Sequence, residues 1–175
     1  MKPNTDAAIR VRDAEQGDLD VIVEFNLELA LETERKALDL NVLREGVRAG
    51  LNRPERLRYW VATSGEDGAV VGQAAITLEW SDWRNGWIWW FQSVYVRRDA
   101  RGQGVFRRLH ETIRKAALDA GNVVGLRLYV EEANEKAQTT YQALGLNHGG
   151  YHVYEEIWPE RFGGLLNAEP RSISR

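Results

Sequence analysis

The sequence contains no cysteine, and its apolar residues never form a long run. The absence of cysteine excludes disulfide bonds, thiolate metal sites and a cysteine nucleophile. The longest apolar stretch, Trp87–Phe91, has only the length of a strand, and Met1–Arg12 lacks the apolar core of a secretory signal. We therefore expect a cytoplasmic protein that has no membrane partner.

The sequence also lacks an excess of positive charge. It contains 23 lysine and arginine residues against 26 aspartate and glutamate residues, which gives a formal net charge of −3. Proteins dedicated to nucleic acids are usually basic, so nucleic acid is not an expected partner. The three histidines, His110, His148 and His152, do not have the spacing of metal ligands, so we predict no metal site.

What the sequence does contain is an alternation of predicted helices and strands. The predicted strands are Ala8–Arg12, Leu57–Thr63, Val70–Glu79, Trp87–Val96, Gly125–Val130 and Tyr151–Trp158. The predicted helices run from Asp18 to about Leu31, from Leu40 to Ala49, from Val105 to about Ala120 and from Asn134 to Leu144. This order predicts an α/β or α+β fold in which helices cover a mixed sheet. We place one domain at residues 1–158 and a C-terminal tail at residues 159–175.

One predicted turn has the features of an anion-binding site. The segment Arg101–Phe106 joins a buried strand to a helix and contains two glycines, which allow a ligand to approach the backbone closely. Free N–H groups at the start of a helix attract phosphate. The surrounding basic residues are Arg97, Arg98, Arg101, Arg107 and Arg108, opposed only by Asp99. The pattern is neither a P-loop nor a dinucleotide fingerprint. A glycine turn beside a solvated, charged helix face would also explain it.

Two motifs resemble those of the GNAT superfamily of N-acetyltransferases. Val96, Arg101 and Gly104 have the spacing of its acetyl-CoA motif, although Phe106 stands where glycine or alanine is usual. Further along the chain, the resemblance continues through Leu128, Tyr129, Val130, Asn134, Ala137, Tyr141, Leu144 and Gly145. It implies a mixed, mostly antiparallel sheet of six to seven strands covered by about four helices. It also implies acetyl-CoA as the co-substrate.

The resemblance further implies roles for individual residues. The cofactor-binding residues would be Val94, Tyr95, Val96, Arg101, Gly102, Gln103, Gly104, Val105, Phe106, Asn134 and Tyr141. Asn134 would contact the cofactor arm and Tyr141 would act as the general acid that protonates the departing thiolate. Each has an alternative: Asn134 is well placed to cap a helix, and Tyr141 could pack in the apolar stripe of that helix.

The general base is not evident from the sequence, because Trp87–Val96 contains no aspartate, glutamate or histidine. The candidates are Glu79, which we rank with Asn134 and Tyr141 as catalytic, then Asp82, Glu28 and Glu32, or a chain of water molecules. Five of the seven tryptophans fall within Trp80–Trp90. Their rings could attract a cationic amine or could simply fill the core. The predicted acceptor-binding residues are Glu28, Glu32, Trp80, Asp82 and Trp83.

The predicted reaction is transfer of acetyl from acetyl-CoA to a primary amine of a small molecule, by direct attack in a ternary complex. Two alternatives remain at this point. The chain could be a weak or inactive domain that binds acetyl-CoA, or its acceptor could be a protein N-terminus or lysine. Exposed tryptophans would also be compatible with a homodimer.

Overall fold

A computed structural model of the chain describes residues 9–65, 67–158 and 165–166. Within these residues the α-helices are α1 (Leu19–Glu34), α2 (Leu40–Leu51), α3 (Val105–Asp119) and α4 (Glu135–Ala143). The strands are β1 (Arg10–Asp13), β2 (Ala37–Leu38), β3 (Arg58–Ser64), β4 (Ala69–Ser81), β5 (Gly86–Val96), β6 (Val123–Leu128) and β7 (Leu165–Leu166). No helix in these ranges is both long and apolar enough to cross a membrane.

A five-stranded sheet in the order β1-β3-β4-β5-β6 forms the centre of the molecule. Its neighbouring strands are antiparallel except for β5 and β6, which run parallel. A parallel pair requires a crossover, and the glycine turn followed by α3 supplies it. The carboxyl end of β5 and the start of α3 therefore lie at the same edge of the sheet.

Helices cover both faces of this sheet. The buried residues Val105, Leu109, Ile113 and Ala117 form one stripe of α3, which packs on the face that carries Trp89 and Phe91. On the other face, α1 and α2 bury residues that include Ile22 and Val47 against Tyr59, Val61 and Ala75. Because side chains alternate along a strand, Trp90 and Gln92 of β5 point to the face of α1.

The predicted mixed sheet with covering helices is confirmed, but the described sheet has five strands rather than six or seven. The predicted strand Tyr151–Trp158 is wrong, since no described residue pairs with it and Tyr151 and Tyr154 are exposed. Aromatic and β-branched residues favour strands, but a strand also needs a neighbour with free main-chain groups in register.

Two short strands escaped the sequence-based prediction. The two residues of β2 pair antiparallel with those of β7, so Leu38 lies opposite Leu165. A two-residue strand is too short to show any periodicity. The other residues of the predicted C-terminal tail, like Ala8 of the first predicted strand, lie outside the described residues.

Candidate active site

The sheet opens where β5 and β6 part. Their parallel ladder ends at the pair Phe91–Leu128, where β6 itself ends, whereas β5 continues to Val96. Within the described residues, the last five positions of β5 therefore have no strand partner on that side. Main-chain groups along such an edge are available to a ligand.

A bulge in β5 lies at this opening. Gln73 of β4 pairs with Tyr95 and Ala75 pairs with Gln92, so two residues of β5, Ser93 and Val94, lie opposite one residue of β4. Ser93 has a φ of 48°, in the left-handed region that residues other than glycine seldom adopt. Bulges of this kind redirect a strand and are frequent beside active sites.

A buried side chain supports the bulge from β4. Gln73 is 0% exposed, and its Nε2 donates hydrogen bonds to Asn26 Oδ1 of α1 at 2.8 Å and to the Ser93 carbonyl oxygen at 3.1 Å. Within the described part of the chain, Gln73 Oε1 has no hydrogen-bond partner. The amide therefore ties α1 to the distorted part of β5. The sequence showed only a glutamine in an otherwise apolar stretch.

The glycine turn leaves room for a ligand at the start of α3. Gly102 and Gly104 have φ values of 77° and 80°, and a Cβ at either position would meet no atom within 4 Å. The first intrahelical hydrogen bond runs from Arg108 N to Gly104 O at 3.0 Å, so the N–H groups of Val105, Phe106 and Arg107 precede it. Gly104 caps the helix without a side chain, which leaves these groups accessible to an anion.

Arg101 connects this turn to α1. Its Nε donates to the Val96 carbonyl oxygen and its Nη2 to Glu32, both at 2.8 Å. Arg98 also donates to Glu32, at 2.8 Å. Burial raises the pKa of Glu32, but the hydrogen bonds from Arg98, Arg101 and Tyr95 outweigh it and lower that pKa overall. Glu32 is therefore held as a carboxylate between the turn and β5.

Tyr95 forms hydrogen bonds with two carboxylates of α1. Its hydroxyl donates to Glu28 and, at 3.0 Å, to Glu32. Burial, together with these two carboxylates, raises the pKa of Tyr95 well above its usual value. The family resemblance placed Tyr95 among the cofactor-binding residues and gave its side chain no role of its own. Glu28 and Glu32 are one helical turn apart and therefore share a face of α1, which is the only part of this arrangement that the sequence could indicate.

Tyr141 lies beside the glycine turn, across the ring of Phe106. The two ring centres are 5.4 Å apart in an edge-to-face arrangement. Burial raises the pKa of Tyr141, so its hydroxyl keeps its proton at neutral pH. The Phe106 ring also contacts Phe91 and His110, with ring centres 6.3 Å apart in each case. Its bulk therefore fills an aromatic cluster between α3, α4 and β5.

Asn134 caps α4. Its Oδ1 accepts a hydrogen bond from the Ala137 N–H at 3.1 Å, which is the helix-capping role. A contact between Asn134 and the cofactor arm stays a prediction.

The predicted acceptor residues separate into two groups. The structure brings Glu28 and Glu32 together with Tyr95, but Trp80, Asp82 and Trp83 lie at the hairpin between β4 and β5. The hairpin end of β5 is six or more residues from the bulge, a distance of about 20 Å. Asp82 accepts from the Trp83 N–H within the turn, and Trp83 is 87% exposed. The functional role of each of these residues stays a prediction.

Glu79 lies between these groups on the face of α1. It accepts hydrogen bonds from Arg127 Nη1 at 3.0 and 3.1 Å and from the indole N–H of Trp90. It is paired across the sheet with Ile88, well before the bulge. A base at Glu79 would therefore need an intermediary to reach an amine at the bulge.

Comparison with known proteins now identifies the family. The sequence model of the acetyltransferase (GNAT) family matches residues 24–146, a range that spans most of α1, the bulge, the glycine turn and α4. The chain belongs to the GNAT family. Three mammalian relatives are named as thialysine N-ε-acetyltransferases, so this GNAT protein is an N-acetyltransferase.

The similarity to these relatives and to solved structures covers most of the chain. The thialysine N-ε-acetyltransferase of Bos taurus is 31% identical over 79% of this chain and 84% of its own length. The crystal structure of a possible acetyltransferase from Clostridium difficile 630 is 43% identical, with a TM-score of 0.78 over 86% of this chain and 97% of its own. The aminoglycoside N-acetyltransferase AAC(6')-Iy, solved with CoA, shares the fold at 15% identity, with a TM-score of 0.70 over 90% of this chain and 99% of its own.

Proposed function

We propose that this GNAT protein transfers acetyl from acetyl-CoA to a primary amine of a small molecule, by direct attack in a ternary complex. The observation that carries the proposal is the position of the opening between β5 and β6. The glycine turn lies at the carboxyl end of β5, and the carboxylates of α1 gather around Tyr95 on the face of the same strand. An anionic thioester donor and a cationic acceptor would each meet a surface of suitable charge there.

Acetyl-CoA fits the opening through its two polar regions. The pyrophosphate would accept hydrogen bonds from the N–H groups at the start of α3, where the two glycines have no side chain to block the backbone. The pantetheine amides would pair with the unpartnered edge of β5, in the way that a peptide adds to a sheet. AAC(6')-Iy, which shares this fold, has been solved with CoA bound.

The acceptor would approach from the face of α1, where Glu28 attracts its ammonium group. Glu32 already binds two arginines, whereas Tyr95 is the only hydrogen-bond partner of Glu28 among the described residues. An alkyl ammonium has an unperturbed pKa of about 10.4, so it must lose a proton before it can attack. Glu28 would hold the ammonium and pass that proton to water. The relatives named for a distal amine, the ε-amine of thialysine, support this class of acceptor.

Bond changes in the transfer can be assigned to groups at the site. The amine nitrogen attacks the thioester carbon, and the carbonyl oxygen gains negative charge, which the N–H of Val94 in the bulge would stabilise. The carbon–sulfur bond then breaks, and Tyr141 would give its proton to the departing thiolate. The amine nitrogen loses its second proton as the amide forms, and that proton would restore Tyr141 through solvent. The raised pKa of Tyr141 keeps that proton available at neutral pH.

Titration calorimetry followed by a thiol-release assay tests the proposal. We expect acetyl-CoA to bind, and we expect release of free CoA to depend on an added primary amine. A panel should include amino acids with distal amines, diamines, aminoglycosides and short peptides. Acetyl-CoA binding without amine-dependent release would contradict the proposal and favour a binding domain, and transfer to peptides alone would favour a protein acceptor.

A further inference from the structure

Three side chains from three strands meet on the face of α1, just before the sheet opens. They are Glu79 of β4, Trp90 of β5 and Arg127 of β6. Arg127 donates to both carboxylate oxygens of Glu79, and its guanidinium carbon lies 5.0 Å from the centre of the Trp90 ring. The indole N–H of Trp90 donates to the same carboxylate. Each member therefore holds the other two in place.

This cluster retains unused binding capacity. Within the described residues Arg127 donates only through Nη1, which leaves Nε and Nη2 for another acceptor. The planar guanidinium binds carboxylates through two parallel hydrogen bonds, and stacking on an indole fixes its plane. The side chains of Arg127 and Glu79 are 37% and 43% exposed, so a ligand can reach them. Ion pairs as exposed as this one contribute little to stability, which favours a role in recognition.

We propose that Glu79, Trp90 and Arg127 bind the α-amino-acid end of the acceptor. Arg127 binds the α-carboxylate, Glu79 binds the α-ammonium group, and Trp90 supports the guanidinium. The acceptor class is then an α-amino acid whose side chain ends in a primary amine. This inference rests on the proposed acetyl transfer and adds a subsite to it, with Arg127 as a specificity-determining residue.

The spacing between this subsite and the bulge suits such an acceptor. Trp90 and Arg127 are directly paired, one step before the ladder of β5 and β6 ends at Phe91. Gln92, the next residue of β5 on this face, is about 7 Å beyond Trp90. A lysine-like molecule has six bonds from its carboxylate carbon to its terminal nitrogen, which span about 7.6 Å when three extended bonds span 3.8 Å. The terminal amine would therefore reach the level of Gln92, the residue that directly precedes the bulge.

The surface between the two ends is neutral and partly exposed. Gln92 Nε2 donates to Thr77 Oγ1 at 3.3 Å, so these two neutral side chains contact each other. They offer no charge that would compete with Glu79 or Glu28 for an ammonium group. The apolar chain of the acceptor can cross this surface without burying a charge.

Selectivity among acceptors tests the subsite without any mutation. The probes are L-lysine and its thioether analogue thialysine, compared with L-lysinamide and cadaverine, which have the distal amine but no carboxylate, and with Nα-acetyl-L-lysine, which lacks the α-ammonium group. We expect kcat/KM to fall about 10- to 100-fold when either charged group is removed, which is the size of a hydrogen bond to a charged group. Equal kcat/KM for lysine, lysinamide and cadaverine would overturn the subsite while leaving acetyl transfer intact.

A matched pair of variants tests whether Arg127 determines this selectivity. In Arg127→Met we expect the ratio of kcat/KM between lysine and cadaverine to fall towards one. Arg58 of β3 provides the control, because it has similar contacts outside the proposed subsite. Its guanidinium carbon lies 4.3 Å from the centre of the Trp60 ring, and it forms an ion pair with Asp13. Arg58→Met should keep the wild-type ratio. An unchanged ratio in a folded Arg127→Met protein would overturn the assignment, and no transfer to any amine would overturn both the subsite and the proposed function.

Discussion

At the scale of single residues, two tyrosines have a raised pKa for different reasons. The Tyr95 hydroxyl donates hydrogen bonds to the carboxylates of Glu28 and Glu32, and burial together with these two negative charges raises its pKa. Burial alone raises the pKa of Tyr141, which lies against Phe106 at the start of α3. The proton of Tyr95 is held in hydrogen bonds to the two carboxylates. In the proposed mechanism, the proton of Tyr141 goes to the leaving thiolate.

Tyr141→Phe tests this assignment. We expect kcat to fall about 10²- to 10⁴-fold, the usual contribution of general acid catalysis. The affinity for acetyl-CoA should hardly change, because the proton is needed only in the transition state. Steady-state kinetics and calorimetry provide the two values, with Tyr151→Phe, at an exposed tyrosine, as the control. Wild-type turnover in Tyr141→Phe would leave this residue a packing role only.

His110 predicts how stability depends on pH. It is buried in α3, stacked on Phe91, and burial and then Arg114 lower its pKa, although Glu111 acts in the opposite direction. Between the folded-state pKa and the unfolded value near 6.5, the unfolded chain binds more protons. The stability from this neutral histidine is therefore complete above about pH 6.5 and is lost as pH falls through the folded-state pKa.

The measurement is denaturant unfolding of the wild type, His110→Gln and His148→Gln between pH 7.5 and pH 5. We expect the free energy of unfolding to decrease with falling pH in the wild type and in His148→Gln, which alters an exposed histidine. The decrease should be smaller in His110→Gln. The same slope in all three proteins would show that His110 is not the titrating group.

At the scale of secondary-structure elements, long periodic segments were predictable and distortions were not. The stripe of Leu109 and Ile113 marked α3, and the apolar run in β5 marked a central strand. Nothing in the sequence showed that Ser93 and Val94 form a bulge. The bulge depends on how β5 pairs with β4 and on the buried amide of Gln73, and neither can be read from the sequence of β5. Tyr151–Trp158 failed for the related reason that pairing depends on distant residues.

The glycine turn yields a prediction that separates backbone strain from ligand binding. Gly104→Ala forces a side chain into the left-handed region, which costs about 1–2 kcal/mol, and places a methyl group where the pyrophosphate would lie. Gly121 has a φ of 73° and an equally open Cβ position, but it follows the far end of α3. Calorimetry should show a loss of acetyl-CoA affinity in Gly104→Ala and none in Gly121→Ala, with similar loss of stability in both. Equal affinity in both variants would remove the turn from the cofactor site.

At the scale of the whole molecule, part of the candidate site was predictable because the motif residues are close in sequence. Arg101 and Gly104 required only a strand, a turn and a helix in order. The proposed acceptor side depends on contacts between distant residues, such as Glu28 with Tyr95 or Glu79 with Arg127. The sequence offered several carboxylates without showing that Asp82 lies at the opposite end of β5.

The central claim is that acetyl transfer to an amine occurs where β5 and β6 part, with the ammonium group held by Glu28. Measurement of kcat/KM for the best amine in Glu28→Gln and Glu24→Gln tests it most directly, since Glu24 is an exposed carboxylate one turn away on α1. We predict a loss of about 10- to 100-fold in Glu28→Gln, the size of a hydrogen bond to a charged group, and wild-type activity in Glu24→Gln. Wild-type kcat/KM in a folded Glu28→Gln protein would contradict the account.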